Sequence, residues 1–349
     1  MGGEHRLPAE LGGRLRAAGL DPAHVAAVAA SALAEDLSVD GVYPGGRPGG
    51  IDVTTEATIP AADRDSADVV ARADGVVAGL PVAEAVFWLA ARRDDAGRRD
   101  AVARLEDAVP RDGGAVPGPG RAAAPFGIKY RAADGDRVQR GDVLLTVTGP
   151  VRTLLTAERT ALNLLCHLSG VATLTRRWVD EVAGTCAQIR DTRKTLPGLR
   201  ALQKYAVRCG GGQNHRMSLS DAVLIKDNHV AAAGSIGAAL AAAAPLLREE
   251  TAAMRAEVEC DTLDQVLQAA AAGARLILLD NFTVADMAEA VTLVAGLRPR
   301  PRLEASGGLT LARARDVAET GVDYLSVGAL THSAPALDIA LDLGRKDPA

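Results

Sequence analysis

Leu276-Ile277-Leu278-Leu279-Asp280 is a run of four apolar residues closed by an acid. A run this short, bounded in this way, reads as a buried strand rather than a helix. Runs of the same kind stand at Ala187 to Arg190, Ala222 to Ile225, Ala256 to Val258, Arg302 to Leu303 and Tyr324 to Val327, with Ala-rich helical stretches between them. They recur about 20 to 35 residues apart, the period of β/α units in a closed parallel barrel. A doubly wound open sheet repeats at a similar interval, so the period alone leaves both architectures open. The residue after each run separates them: Asp191, Lys226, Glu259, Asp280, Glu304 and Gly328. Charge or Gly at six successive strand ends is what a barrel rim needs, where the following loops build a site on one face.

Upstream the rhythm differs. Leu7 to Leu37 reads as one or two Ala-rich helices, and a Gly/Pro stretch from Gly41 to Gly50 interrupts the order. Asp52-Val53-Thr54-Thr55 follows, then a β-type region around Val69 to Leu80, then helical spacing over Pro81 to Arg92 with Val82, Val86 and Leu89 on one side. Arg92 to Ala124 is rich in Arg, Asp, Gly and Pro, and its second half reads as a flexible surface excursion. Short β segments with Gly turns fit Ile128 to Leu144, and a long helix fits Leu154 to Val182.

With 349 residues the chain has room for two domains. Aromatics are 3% of it, so the core must be aliphatic, and stacking on nucleic-acid bases is disfavoured. A net charge of -5 argues against a broad nucleic-acid or anionic-membrane surface while leaving room for a local basic pocket. Cys166, Cys186, Cys209 and Cys260 are scattered without metal-site spacing and read as reduced thiols. The first residues lack a secretory pattern and no long apolar run reads as a membrane span, so the expected location is cytoplasmic.

Three clusters carry chemistry. Asp191-Thr192-Arg193-Lys194-Thr195-Leu196-Pro197-Gly198-Leu199-Arg200 is followed by Lys204, Arg208, the triplet Gly210-Gly211-Gly212, and Asn214-His215-Arg216; Arg159 lies upstream and Lys226 downstream. Adjacent cations after a strand, with a Gly-rich loop, suit a small substrate bearing several negative charges, because Arg grips a carboxylate with two parallel hydrogen bonds. For Lys204 and Arg208 a solvated helix face is an equal alternative. Glu259 and Asp280, at consecutive strand ends, suit a hard divalent cation that completes its shell with phosphate oxygens; ion pairs to Lys226 or Lys194 are the rival use. Glu304-Ala305-Ser306-Gly307-Gly308-Leu309 and Val327-Gly328-Ala329-Leu330 place glycines after the last strands, where backbone N–H groups can approach a phosphate. His5, His24 and His167 read as surface or packing residues, whereas His229 and His332, near strand ends, are candidates for supporting roles.

The segments DTRKTLPGLR, KYAVRCGGGQNHRMSLSDAVLIKDNH, LILLDNF, LEASGG and VDYLSVGALTHSAPALDIALD closely resemble the quinolinate phosphoribosyltransferase family, from about Arg152 to Leu343. Upstream the resemblance is thinner, carried by Glu35-Asp36, Asp52 to Thr55 and Ala73 to Gly79, and the Gly41 to Gly50 and Arg92 to Ala124 segments depart from it. It implies an N-terminal α/β sandwich over residues 1–160, with a flexible insert at about 92–124. An incomplete, seven-stranded-type α/β barrel would follow over 161–333, then a C-terminal helix over 334–345 packed on the N-terminal domain. It also implies a homodimer with shared active sites, open to higher assembly, and Mg²⁺ as cofactor.

By the same resemblance Arg159 would enter the neighbouring subunit's pocket and, with Arg193, Lys194, His215 and Arg216, hold quinolinate. Lys194, Lys226, Glu259 and Asp280 would serve catalysis. Phosphoribosyl pyrophosphate would meet Lys226, Glu259, Asp280, Ser306, Gly307 and Gly328, with the metal on Glu259 and Asp280. Two rival readings stand beside it. A sister transferase could act on another pyridine acid such as nicotinate. The stretch Asp134 to Leu144 looks like part of a biotinyl- or lipoyl-type hammerhead, but it lacks the lysine at a hairpin turn that a carrier needs.

Overall fold

The computed structural model describes residues 7–38, 50–93, 126–249 and 256–344. The Gly41 to Gly49 stretch, most of the Arg92 to Ala124 segment and His5 lie outside the described residues. The chain divides into two compact units, residues 1–170 with 336–349, and residues 171–335.

In the first unit the N-terminal Ala-rich stretch is two helices, α1 (Ala9–Ala17) and α2 (Pro22–Asp36). Gly19 breaks them with φ +72, and Asp21 restarts the helix by accepting the Ala23 N–H at 3.0 Å, with Pro22 in the first turn. Short α3 (Val53–Thr58) is capped the same way by Asp52, which accepts the Thr55 N–H. Strands β1 (Arg64–Ala71) and β2 (Gly75–Val76) lead into α4 (residues 80–93), whose Val82 and Val86 are fully buried as their spacing requires. After it come β3 (Gly127–Tyr130), β4 (Arg137–Val138), β5 (Val143–Pro150) and the 31-residue α5 (Val151–Glu181), whose residues from 171 onward belong to the second unit. With a last strand, β12 (Ile339–Leu343), a four-stranded antiparallel sheet has the order β12-β1-β5-β3, and β2 pairs with β4.

The strand at one edge of that sheet corrects an expectation. The C-terminal helix expected over residues 334–345 is absent from the described part, 334–344: β12 (Ile339–Leu343) pairs antiparallel with β1, from Ala67 opposite Leu343 to Ala71 opposite Ile339. Ile339, Leu341 and Leu343 fit a strand's two-residue repeat as well as a helix's turn, so pattern alone could not choose. The edge of β1 chooses, because its N–H and C=O groups need partners, and Arg72 adds an ion pair to Asp342.

The second unit alternates strand and helix: β6 (Gln188–Arg190), α6 (Arg200–Cys209), β7 (Val223–Ile225), α7 (Asp227–Ala233), α8 (Ile236–Glu249), β8 (Ala256–Cys260), α9 (Leu263–Ala271), β9 (Leu276–Asp280), α10 (Val284–Ala295), β10 (Arg302–Ser306), α11 (Ala314–Glu319), β11 (Tyr324–Ser326) and α12 (Ala329–His332). Its sheet is parallel throughout, in the order β6-β11-β10-β9-β8-β7, and Gln213 adds an isolated parallel bridge to Arg190. The α/β class read from the rhythm therefore holds. Ile189, Val258, Ile277, Leu279, Leu303, Ala305 and Leu325 are at most 1% exposed and form the sheet's apolar side. Among the described residues no single helix is long and apolar enough to cross a membrane.

The sheet of the first unit gives a contrast to measure. Leu145 of β5 is fully buried, whereas Leu343 of β12 is 40% exposed. Leu145→Ala is expected to cost about 2–5 kcal/mol in urea unfolding, and Leu343→Ala about 1 kcal/mol or less.

Candidate active site

Strand periodicity puts the acids where they are. Side chains alternate across a strand, and residues paired in register on parallel neighbours project the same way. Glu259 pairs with Leu278, Leu278 with Glu304, and Asp280 with Ser306. Glu304 pairs with Tyr324, and Ser326 with Arg190. Glu257, Glu259, Asp280, Glu304, Ser306 and Arg190 thus share the face opposite Val258, Ile277 and Leu303. Glu259, Asp280 and Ser306 lie at or near the C-terminal ends of their strands. Glu304 does not: it sits inside β10 with no exposed surface, a correction to its reading as a rim residue.

A buried ion pair builds the loop after α6. Lys204 and Asp191 are both fully buried and paired with each other. The Asp191 carboxylate also accepts from the Asn214 amide at 2.6 Å and the His215 N–H at 2.8 Å, while Lys204 Nζ donates to the His215 carbonyl at 2.9 Å. Burial pushes the Asp191 carboxyl up and the Lys204 ammonium down, each against the pull of its partner. Lys204 is therefore a scaffold for His215 and Arg216, not part of a cationic surface. Arg208, one helical turn on, is exposed and donates to Asn214 at 2.7 Å.

His215 is held on both ring nitrogens. Nδ1 accepts the Arg216 N–H at 2.7 Å, so the ring proton sits on Nε2, which faces Glu257 at 2.8 Å and Glu304 at 3.5 Å. Arg190 pairs with Glu304 and stacks on Tyr324 at 4.6 Å. One oxygen of Glu257 and one of Glu304 are buried without a hydrogen-bond partner. Ligand atoms of His215, Glu257 and Glu304 lie within 4.8 Å of one another, as a metal would require. The Nε2 proton, fixed by the Arg216 N–H, makes the cluster a better holder of a proton than of a metal. Burial pushes Glu257 up to about 7 against the pull of Arg190 and Arg216, and it lowers the His215 pKa.

The cations converge beside this cluster. Burial lowers the Arg216 pKa, and the neighbouring Arg193 lowers it further. Arg193 Nε is buried without a hydrogen-bond partner. Lys194 is exposed, and its Cδ would lie 3.1 Å from a Cβ on Gly328, so a side chain at 328 would crowd Lys194. Gln203, fully buried, holds that arrangement: it accepts the Leu196 N–H at 2.9 Å and donates to the Thr331 carbonyl at 2.6 Å. Thr331 Oγ1 in turn donates to the Lys194 carbonyl at 2.7 Å.

Lys226 pairs with Glu259, the rival use considered for that acid, while Asp280 accepts from the Asn281 amide at 2.7 Å. Gly307 has φ +86 beside Ser306. His229 Nδ1 accepts the Lys226 N–H at 2.9 Å, a supporting contact, and His332 Nε2 lies by Gly328. Arg159 is exposed on α5 in the first unit.

Glu257, Arg190 and Gln203 were missed as site-builders in the sequence, and Asp191, read there as a strand-end rim residue, is instead fully buried. The alternation Glu257-Val258-Glu259-Cys260 carried a signal for the first, since it puts two acids on one strand face. A cavity of about 750 Å³ also lies beside β7, lined by Arg216, Leu219, Leu224, Ile225, His229 and Leu246 among others. That mostly apolar lining does not suit a multiply charged ligand.

Residues 171–342 match the family description "Quinolinate phosphoribosyl transferase, C-terminal domain", and residues 121–169 match the corresponding N-terminal domain. The chain is 49% identical over 294 residues to nicotinate-nucleotide pyrophosphorylase (carboxylating) of Mycobacterium leprae, covering 84% of this chain and 92% of that protein. It is 37% identical to quinolinate phosphoribosyltransferase (decarboxylating) 1 of Nicotiana glauca, over 84% of this chain and 77% of the relative. The crystal structure of NadC from Streptococcus pyogenes superposes with a TM-score of 0.75 at 35% identity, covering 94% of this chain and 99% of the other.

The buried carboxyl of Glu257 predicts a pH dependence. Its proton leaves near 4.5 in the unfolded chain and near 7 in the folded one. Between those values the folded state binds more protons, so stability from this group is complete below the lower value and declines as pH rises through the higher. Glu257→Gln should remove about 3 kcal/mol of that decline. Urea unfolding of both proteins at pH 5 and pH 8 measures it, and an identical pH dependence would refute the assignment.

Proposed function

The chain belongs to the quinolinate phosphoribosyltransferase family, and on that premise we propose that it joins quinolinate to phosphoribosyl pyrophosphate, releasing pyrophosphate and carbon dioxide. The product is nicotinate mononucleotide, a precursor in NAD biosynthesis. One observation carries the reading: neighbouring Arg193 and Arg216, with Arg193 Nε unpartnered, stand beside a sheet face that presents Glu259 and Asp280. The cations suit a dicarboxylate and the acids suit an activated sugar phosphate.

Arg193, Lys194, His215 and Arg216 hold quinolinate, His215 by setting the loop and the Arg216 backbone. Arg159 reaches into the site of a second subunit, so the working form is a homodimer with shared sites, located in the cytoplasm. The six parallel strands and the Gln213 bridge form an incomplete, seven-stranded-type barrel, and the antiparallel sheet with its helices forms the sandwich domain. Glu259 and Asp280 are hard oxygen donors on adjacent strands, which fits Mg²⁺. Bound there, Mg²⁺ supplies charge neutralisation for the pyrophosphate oxygens. Ser306, Gly307 and Gly328 offer the 5-phosphate backbone N–H groups, the two glycines without an obstructing Cβ.

Departure of pyrophosphate from ribose C1 leaves an oxocarbenium-like centre, and the pyridine nitrogen attacks it. Lys226 and Lys194 stabilise the leaving oxygens, while Glu259 and Asp280 offset positive charge growing on the sugar. Once quaternised, the ring stabilises the electron pair left on the carbon beside the nitrogen when its carboxylate departs as carbon dioxide, and a proton from water then bonds to that carbon. Because over-stabilising that carboxylate would slow its loss, the arginines grip its neighbour more firmly. The protein's contribution is placement and charge matching.

The decisive assay incubates the protein with Mg²⁺, phosphoribosyl pyrophosphate and quinolinate labelled in the 2-carboxyl group. Labelled carbon dioxide and nicotinate mononucleotide are expected together, and nicotinate in place of quinolinate should yield no nucleotide. Arg159→Ala and Lys194→Ala should each be inactive. After subunit exchange an equal mixture should regain about a quarter of native activity, since half the dimers are mixed and each has one intact site. No recovery despite proven exchange would remove the shared site.

A further inference from the structure

Asn281 is the one non-glycine residue with positive φ among the described residues, at φ +57. It follows Asp280 at the end of β9, and its N–H donates to the Ser306 carbonyl at 2.9 Å. Its amide nitrogen donates to Asp280 Oδ2 at 2.7 Å. Its amide oxygen faces Gly307 so closely that a Cβ on that glycine would lie 2.3 Å from Oδ1 and 2.6 Å from Cγ. The carboxamide is therefore wedged between the Asp280 carboxylate and the Gly307 backbone. A left-handed turn needs only Gly or Asn. It does not need a carboxamide hydrogen-bonded to an acid on one side and pressed on a glycine on the other.

We propose that Asn281 is a positioning residue for the phosphoribosyl donor, locking the Asp280 carboxylate and the Gly307 peptide in one fixed relation. The inference rests on the reading that Asp280 meets the donor's ribose and metal end and Gly307 its 5-phosphate. With Oδ2 engaged by Asn281, Asp280 is restrained about its side-chain torsions and presents Oδ1 in a set direction. The same amide packs against Gly307, whose φ is +86. The two ends of one ligand are then prepared together before it binds.

Asn281→Gly separates this role from a turn, because Gly adopts positive φ without strain and lacks only the amide. Asn281→Asp keeps the shape but replaces the donor with a charge that repels Asp280. Both variants should unfold at the native urea midpoint. In both, KM for phosphoribosyl pyrophosphate should rise about tenfold or more, as loss of a charge-assisted hydrogen bond implies, while KM for quinolinate stays within about twofold. Asn281→Gly with native donor KM would reduce the residue to a turn and overturn the proposal. Equal losses for both substrates would also overturn it, as a general structural defect. A native protein that makes no nicotinate mononucleotide would fail one step earlier, taking down the transferase reading and this inference with it.

Discussion

A parallel strand gives each of its faces every second residue, and that constraint organises the second unit. On β8, β9 and β10 one set of alternate positions, Val258, Ile277, Leu279, Leu303 and Ala305, is excluded from water. The intervening positions hold Glu257, Glu259, Asp280, Glu304 and Ser306, and register stacks them on one face. The apolar half of each strand stabilises the sheet, and the polar half becomes the floor of the site. A one-residue slip of any strand would bury its acid in the core and turn its leucine or valine into the site, so register and chemistry stand together.

On that floor the protein accepts unfavourable electrostatics in return for placement. Two carboxylates, Glu257 and Glu304, are buried close to one another, with Arg190 paired to Glu304 and His215 between them. Burial holds both pKa values high. Asp191 and Lys204 are also fully buried, and a buried pair is weak evidence for stability because desolvation offsets the attraction. What the pair provides is geometry, since its remaining hydrogen-bonding capacity goes to Asn214 and His215 and sets the loop that carries Arg216. Gln203 does the same for Lys194 without charge. The exposed cations are thus short extensions from loops whose backbones are fixed from below.

The rim residues were legible in the sequence because each follows a short apolar run, and a strand's end is marked by the loss of that run. Lys226, Asp280 and Gly328 could be placed on that basis alone. Lys204 could not. Its position in a basic stretch is equally compatible with a solvated face, and only packing against Asp191 reveals that it is an internal strut. Glu304 was legible as polar but not as interior, because a single apolar residue, Leu303, follows Arg302 before it and β10 continues through it. The pairing of His215 with Glu257 had no local signature, since the two lie on separate elements.

By itself the amino-acid order determined the alternation of strands and helices, the class of the fold and the chemical character of each strand end, because these depend on residues near one another in the chain. Tertiary structure decided which face each acid shares, which lysine is buried, and the conformation of the last segment. Ile339 to Leu343 satisfies both a helical and a strand pattern, and it became a strand because β1, some 270 residues away at the Arg72–Asp342 pair, offered an edge of unsatisfied backbone groups. Periodicity is a local property that can be read along the chain. Partnership depends on distant residues, and only folding brings them together.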